Sequence, residues 1–410
     1  MRLRVIITVA LGMLLIACSP AAEQASTPIV RIASPLPAMT ATGAAPTPEP
    51  APTLLSTSTP LPAPPTGTPR AASYMVLVTN SAARHISFID PISGAVEQVE
   101  VGAAPWGLAL APNDLVYVAT AEGVAVVDTR RRKHVARIPY RAQIGAPAFG
   151  EYRAGGMGIA AAPDGRHVYV GVFLPDRSGL LEVIDTTQRT VIASIPIGVR
   201  PFQVIVSGDG REVYTIDHDT FTVTAINTTT YAARTLPVEP LGNGGWGSWD
   251  KPHYAALRPD GHLLLPFQGR TLIDLDLGSG KAVALPMQAN THQHGVTLAP
   301  DGQRLLIVGT GPAGDAREAP RLTLLDLTSM VEEQIALSRP HEQVALSPDG
   351  CLAYITGGHT FANGGWDGLS VVDLQQHIVT EIPVPDRPLD IAIVSEGRAA
   401  LACENNSVSE

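Results

Sequence analysis

The side chains best suited to chemistry are histidines and acids that recur at long, regular intervals. His253, His294 and His341 stand about 40 to 50 residues apart, and Glu342 follows the last of them directly. Three imidazoles and a carboxylate form a donor set able to hold a divalent metal such as zinc, copper or iron, leaving a position for water or substrate. His218, His292 and His359, with Asp217, Asp219 and Asp250, extend the same constellation. No local metal motif such as His-Glu-x-x-His is present, so only a fold that gathers distant segments can assemble the set. The competing reading is a polar, partly hydrated rim with no metal. The tryptophans form a second group. Trp246 and Trp366 each end the phrase Asn-Gly-Gly-Trp, at Asn243 and Asn363, while Trp249 and Trp106 complete the set of four. Glycines permit unusual backbone turns, and an indole offers a flat apolar face with one donor at its edge. These residues therefore either project to bind a sugar, peptide or aromatic ligand, or fold back to cap their own elements.

Other chemistries are excluded more directly. There is no Gly-x-Ser-x-Gly elbow, no phosphate loop and no Cys-x-x-Cys-His haem attachment sequence. The three cysteines, Cys18, Cys351 and Cys403, contain no Cys-x-x-Cys pair, so Cys351 and Cys403 do not read as a redox couple. A net charge of −10 with no basic stripe argues against nucleic acid, whose phosphates require lysine and arginine.

The elements that must position these residues repeat. Turn pairs recur at Asn113-Asp114, Asp164-Gly165, Asp209-Gly210, Asp260-Gly261, Asp301-Gly302, Asp349-Gly350 and Glu396-Gly397. Glycine accepts positive φ and aspartate caps its own turn, so each pair suits a tight hairpin between short apolar runs. A second series, Asp90, Asp128, Asp185, Asn227, Asp276, Asp326 and Asp373, interleaves with the first. Four short strands per repeat follow, here named A to D outward from an axis. They predict an all-β, seven-bladed β-propeller of four-stranded antiparallel blades over residues 73–410. Strand Leu389–Ile393 is expected to supply the missing innermost strand of the first blade, so that both chain ends share one blade. Ala399–Cys403 resembles a second B strand competing for the same place, and Asn405–Ser409 the opening of another repeat, so an imperfect or truncated eighth blade is the alternative. Counting back from each hairpin turn, the position opening each A strand holds Trp106, Met157, Phe202, His253, His294, Glu342 and Leu389. Every long insertion falls in a B-to-C or D-to-A connection, so one face carries the variable loops, and function is expected there.

These repeats resemble the YVTN family of β-propellers. The likeness rests on Met75-Val76-Leu77-Val78-Thr79-Asn80, Phe88-Ile89-Asp90, the crossings Val101-Gly102-Ala103-Ala104-Pro105 and Ile197-Gly198-Val199-Arg200-Pro201, and the turn Pro163-Asp164-Gly165. It spans residues 73 to 404 and implies the fold. Its relatives range over surface proteins, lactonases and the propeller of nitrous oxide reductase, so two functions stay open. One is a binding or interaction module using the loop-rich upper face for a protein, glycan or small molecule. The other is a channel-mouth enzyme, either a metal-dependent lactonase-like hydrolase or an oxidoreductase.

The chain's beginning concerns address rather than fold. Arg2 and Arg4 precede an apolar run, Val5 to Ile16, that is short of the roughly 20 residues a membrane span needs. Leu15-Ile16-Ala17-Cys18 resembles a bacterial lipobox, which implies a signal peptide over residues 1–17 and lipidation of Cys18. An ordinary secretory signal with an incidental cysteine is the other reading. Residues 18–72 are rich in proline, alanine and threonine, a composition expected to stay disordered as an extended tether. Together these features predict an extracytoplasmic chain held to the cell membrane by its lipid.

Overall fold

The computed structural model describes residues 74–238, 251–267, 270–290, 294–309, 319–358 and 365–395. Within them the chain forms seven antiparallel sheets of four strands each. Blades 2 to 7 run in simple sequence order, opening with the A strands Leu108–Leu110, Gly155–Ala161, Pro201–Val206, Ala256–Leu257, Val296–Leu298 and Val344–Leu346. Blade 1 is composite. Strand Pro388–Ser395 pairs with Tyr74–Asn80 in a register that sets Val76 opposite Ile393 and Val78 opposite Ile391. This is the shared closing blade expected from the sequence, and it covers an edge that would otherwise present unpaired backbone groups. The fold is a seven-bladed propeller. Residues Ala399–Cys403, which suggested a further strand, lie outside the described residues, as do Cys18 and all of 1–73.

Among the described residues both turn series do what their residue types dictate; Glu396-Gly397 lies outside them. At the A-to-B hairpins Gly165, Gly210 and Gly350 have φ of 69°, 71° and 72°, a region that glycine enters without penalty. At the C-to-D turns the aspartate carboxylate accepts the backbone amides two and three residues on. Asp185 takes Thr187 and Gln188 at 2.9 and 2.7 Å, and Asp373 takes Gln375 and Gln376 at 2.9 and 2.8 Å.

The core lies between blades. B and C strands are buried on both faces, as in Leu115–Thr120 and Gly123–Asp128, whereas D strands such as Val96–Glu100 alternate with solvent. Leu263, Leu265, Ile273 and Leu275 of blade 5 meet Ile216, Val223 and Ala225 of blade 4 in one such layer. Each fully buried aliphatic side chain contributes roughly 1.5–3 kcal/mol. Nearer the axis, glycines let neighbouring A strands touch through their backbones. The Gly295 amide donates to the Glu342 carbonyl at 2.7 Å, and a Cβ on Gly158 would lie 2.5 Å from the Gln203 backbone. Cys351, just before the B strand of blade 7, is disulfide-bonded, and its partner lies outside the described residues. The absence of a Cys-x-x-Cys pair thus excluded a redox motif without excluding this crosslink.

Candidate functional site

The residues opening the A strands converge on the axis. Trp106, Phe202, His253, Glu342 and Leu389 line a cavity of about 290 Å³, joined by Phe149, Gly150 and Glu151 from the blade 2 to blade 3 insertion. Ser81 and Ala82, Gly358, and Arg387 reach it from two B-to-C connections and one D-to-A connection. All the loop residues come from the face predicted to carry the insertions. Apolar groups form the wall, and buried polar groups form the floor.

His253 is the key floor residue. It is 4 % exposed, and neither ring nitrogen has a hydrogen-bond partner among the described residues. Its ring is held by stacking instead, with centroids 4.5 Å from Phe202 on one contact and 4.5 Å from His218 on another. Burial, reinforced by His218, His294 and Arg200 against the opposing pull of Glu342, pushes its pKa well below the ordinary imidazole value. The ring is therefore neutral, and its nitrogens offer one donor and one acceptor. His294 and Glu342 stand beside it. One donor atom from each of these three residues lies within 4.8 Å of the others, and His294 Nδ1 is 3.6 Å from Glu342 Oε2. The hydroxyl of Tyr254 donates to Glu342 Oε1 at 3.0 Å, and burial raises that phenol well above its usual pKa.

His341 does not join them. Its Nε2 shares a 2.7 Å hydrogen bond with Ser370 Oγ, and its ring packs edge-on to Trp366 at 5.8 Å. Consecutive residues of an extended chain point to opposite sides, so the place of Glu342 at the axis sends His341 into the blade. The expected set of three histidines and an acid is thus two histidines and an acid.

A second polar group adjoins the first. Arg200 is fully buried, with Nη2 2.6 Å from Glu151 Oε1 and Nη1 3.3 Å from Asp219 Oδ1. Lys251 Nζ and His218 Nδ1 approach that same Asp219 oxygen at 2.9 and 2.7 Å. Burial alone would raise Asp219, but the His218 hydrogen bond and the Arg200 and Lys251 charges hold it well below the usual carboxylate range. Burial takes His218 down to about 3 against the opposing pull of Asp219. Sequence reasoning placed His218 and Asp219 on this face but missed Arg200, Glu151 and Tyr254. Deeper in the channel, Gln203, Gln343, Tyr254 and Asp390 line a smaller space of about 180 Å³. There burial raises Asp390 to about 6, although it accepts the Leu108 and Ile391 amides at 2.8 and 2.9 Å.

The two tryptophans among the described residues, Trp106 and Trp366, serve as wall and cap rather than as an exposed shelf. Trp106 is 7 % exposed, packs edge-on to Phe202 at 5.5 Å, and carries the Arg153 guanidinium over its ring at 5.6 Å. Trp366 folds back over its own blade, where a Cβ on Gly357 or Gly368 would collide with its ring, and Arg339 covers it at 5.0 Å. Asn243, Trp246, Trp249 and Asn363 lie outside the described residues, as do His292, His359 and Asp250.

Solved structures similar to this chain include the following three. A periplasmic gluconolactonase of Pseudomonas aeruginosa matches with a TM-score of 0.57 and 16% identity, over 79% of this chain and 99% of that one. A hydrazine synthase chain from Kuenenia stuttgartiensis matches at 0.54 and 15%, over 71% and 95%. The dihydro-heme d1 dehydrogenase NirN, in complex with DHE, matches at 0.50 and 17%, over 82% and 78%. The likeness is one of fold. No family model and no curated protein matches the sequence.

Proposed function

We propose that this propeller takes a small organic molecule into the cavity at its channel mouth. The observation that carries the reading is the composition of that cavity. Trp106, Phe149, Phe202 and Leu389 make an apolar wall over a buried floor of His253 and Glu342, inside about 290 Å³. Concave, mostly apolar pockets with a few convergent polar groups are the usual form of small-molecule sites. An unpaired buried imidazole costs free energy until a ligand supplies its hydrogen bonds. In this reading the upper-face module takes small ligands, with Trp106 as part of the cavity wall.

Hydrolysis of the bound molecule is the second reading. It is favoured by the convergence of His253, His294 and Glu342 within 4.8 Å, since acid–base chemistry needs such groups within reach of one reacting atom. One structural neighbour is a gluconolactonase, which makes cyclic esters the first substrate class to try.

The proposal includes an extracytoplasmic setting, with Cys18 lipidated and residues 18–72 as tether to the membrane. The disulfide at Cys351 supports it, because such bonds persist in oxidising compartments.

The test is a panel of lactones and of aromatic and aliphatic carboxylic acids, screened against the purified chain by thermal shift and tryptophan emission. Binders should raise the melting temperature, and Ala82→Trp, which fills the exposed rim of the cavity, should abolish the shift while leaving the unliganded melting temperature unchanged. Acid release from a bound lactone, followed by titration at constant pH, separates turnover from binding. Binders unaffected by Ala82→Trp, or none in the panel, would overturn the reading.

A further inference from the structure

The structure assigns a binding site for one divalent transition metal of the zinc or ferrous class to His253, His294 and Glu342, on the floor of the channel-mouth cavity. Three observations carry it. The first is donor geometry. Ligands about 2.1 Å from a tetrahedral zinc stand about 3.4 Å from one another. His294 Nδ1 and Glu342 Oε2 are 3.6 Å apart, beyond a hydrogen bond but close to that spacing, and all three donor atoms lie within 4.8 Å of each other. The second is His253, whose two ring nitrogens are buried and have no hydrogen-bond partner among the described residues, while the residue faces the cavity. A metal would use one of them as a ligand. The third is outer support: Tyr254 donates to Glu342 Oε1 at 3.0 Å, fixing the carboxylate through one oxygen and leaving the other beside His294. Metal-bound carboxylates are commonly oriented in this way.

Two imidazoles and one carboxylate suit zinc or ferrous iron and are too nitrogen-rich for magnesium or calcium. A fourth position would open into the cavity, where His253 and Glu342 both form part of the lining. The alternative triad of Glu151, His218 and His253 shares one ligand with this set. It is disfavoured because the Arg200 guanidinium lies 2.6 Å from Glu151, and a second cation there would meet direct repulsion.

The site deepens the proposed ligand site, but metal occupancy is measured without any organic molecule, so each can fail alone. Purified full-length chain is stripped with chelator, then titrated with Zn²⁺ by calorimetry and with Co²⁺ by visible absorption. The expected result is one equivalent bound, with the absorption bands of a four- or five-coordinate site. His253→Ala and Glu342→Gln should each weaken binding by more than about 100-fold, and Tyr254→Phe by about 10- to 100-fold. His341→Ala should bind as the wild type does, because His341 is bonded to Ser370. Circular dichroism confirms that each variant is folded, and His253→Gln replaces His253→Ala if the latter is not. Wild-type chain that binds neither ion would overturn the assignment, as would variants at His253 and Glu342 that bind normally. Loss in Glu151→Gln and His218→Ala instead would move the ion to the other triad and likewise sink it.

Discussion

Tyr254 of blade 5 reaches past blade 6 to donate its hydroxyl to Glu342 of blade 7, at 3.0 Å, with both residues buried. That bond ties together two blades that are not neighbours in the ring. Tyr254→Phe removes the donor while keeping the ring, so the loss should be that of a charge-facing hydrogen bond, about 1–3 kcal/mol. Urea unfolding monitored by circular dichroism measures it, and an unchanged midpoint would mean that the bond does nothing for stability.

Arg200 yields the largest predicted loss. Its side chain is fully buried between Glu151 and Asp219, and removal of one partner from a buried ion pair leaves the others uncompensated. Arg200→Met should therefore cost about 3–5 kcal/mol. Adding Glu151→Gln should restore part of that loss, which a double-mutant cycle in denaturant would reveal.

Asp217 supplies a pH signature. Burial raises it to about 7 despite hydrogen bonds from Thr224 and Thr215 at 2.6 and 2.7 Å. Between its unfolded value of 3.8 and about 7, the folded chain holds the proton and the unfolded chain does not. Stability from this group is complete below pH 3.8 and is lost as pH rises towards 7. In Asp217→Asn that falling component should vanish, so the wild type's advantage over the variant should shrink from pH 4 to pH 7. Unfolding midpoints across that range test it, and a constant difference would contradict it. His218 and His341, both held at about 3, act in the opposite direction. Buried as neutral rings, they favour the fold above pH 6.5 and lose that contribution as pH falls towards 3.

Two glycines separate backbone strain from crowding. Gly302 has φ of 68° with no atom within 4 Å of an added Cβ, so Gly302→Ala should cost about 1–2 kcal/mol. At Gly158 the same Cβ would lie 2.5 Å from the backbone of Gln203, in the adjoining blade. Gly158→Ala should cost about 3 kcal/mol or more, because neither A strand can move aside without displacing its neighbours. Melting temperatures of the two variants compare them directly.

The blades were legible in the sequence because their signals are short-range. A turn such as Asp209-Gly210 declares itself within a few residues, and counting back from it found Trp106, Phe202, His253 and Glu342 at the channel mouth. The same count put Glu342 at the opening position, and the error was to add its neighbour His341 to the set, since one place along an extended chain reverses the side chain. Nor could it find Arg200 and Glu151. One sits in a crossing and the other in an insertion, and neither obeys the period that locates the strands. Their association is a tertiary fact, settled by which loop folds over which blade.

Pairing the strand Pro388–Ser395 with Tyr74–Asn80 also sets a timetable. The first strand of the domain cannot gain its inner partner until the last has been synthesised and delivered. Until then the growing chain carries an unsatisfied edge and an incomplete circle, and the floor residues of three blades have no common centre to face. The cavity lining, which draws on Ser81 and Ala82 after the first strand and on Leu389 in the last described one, is thus complete only once that pairing has formed.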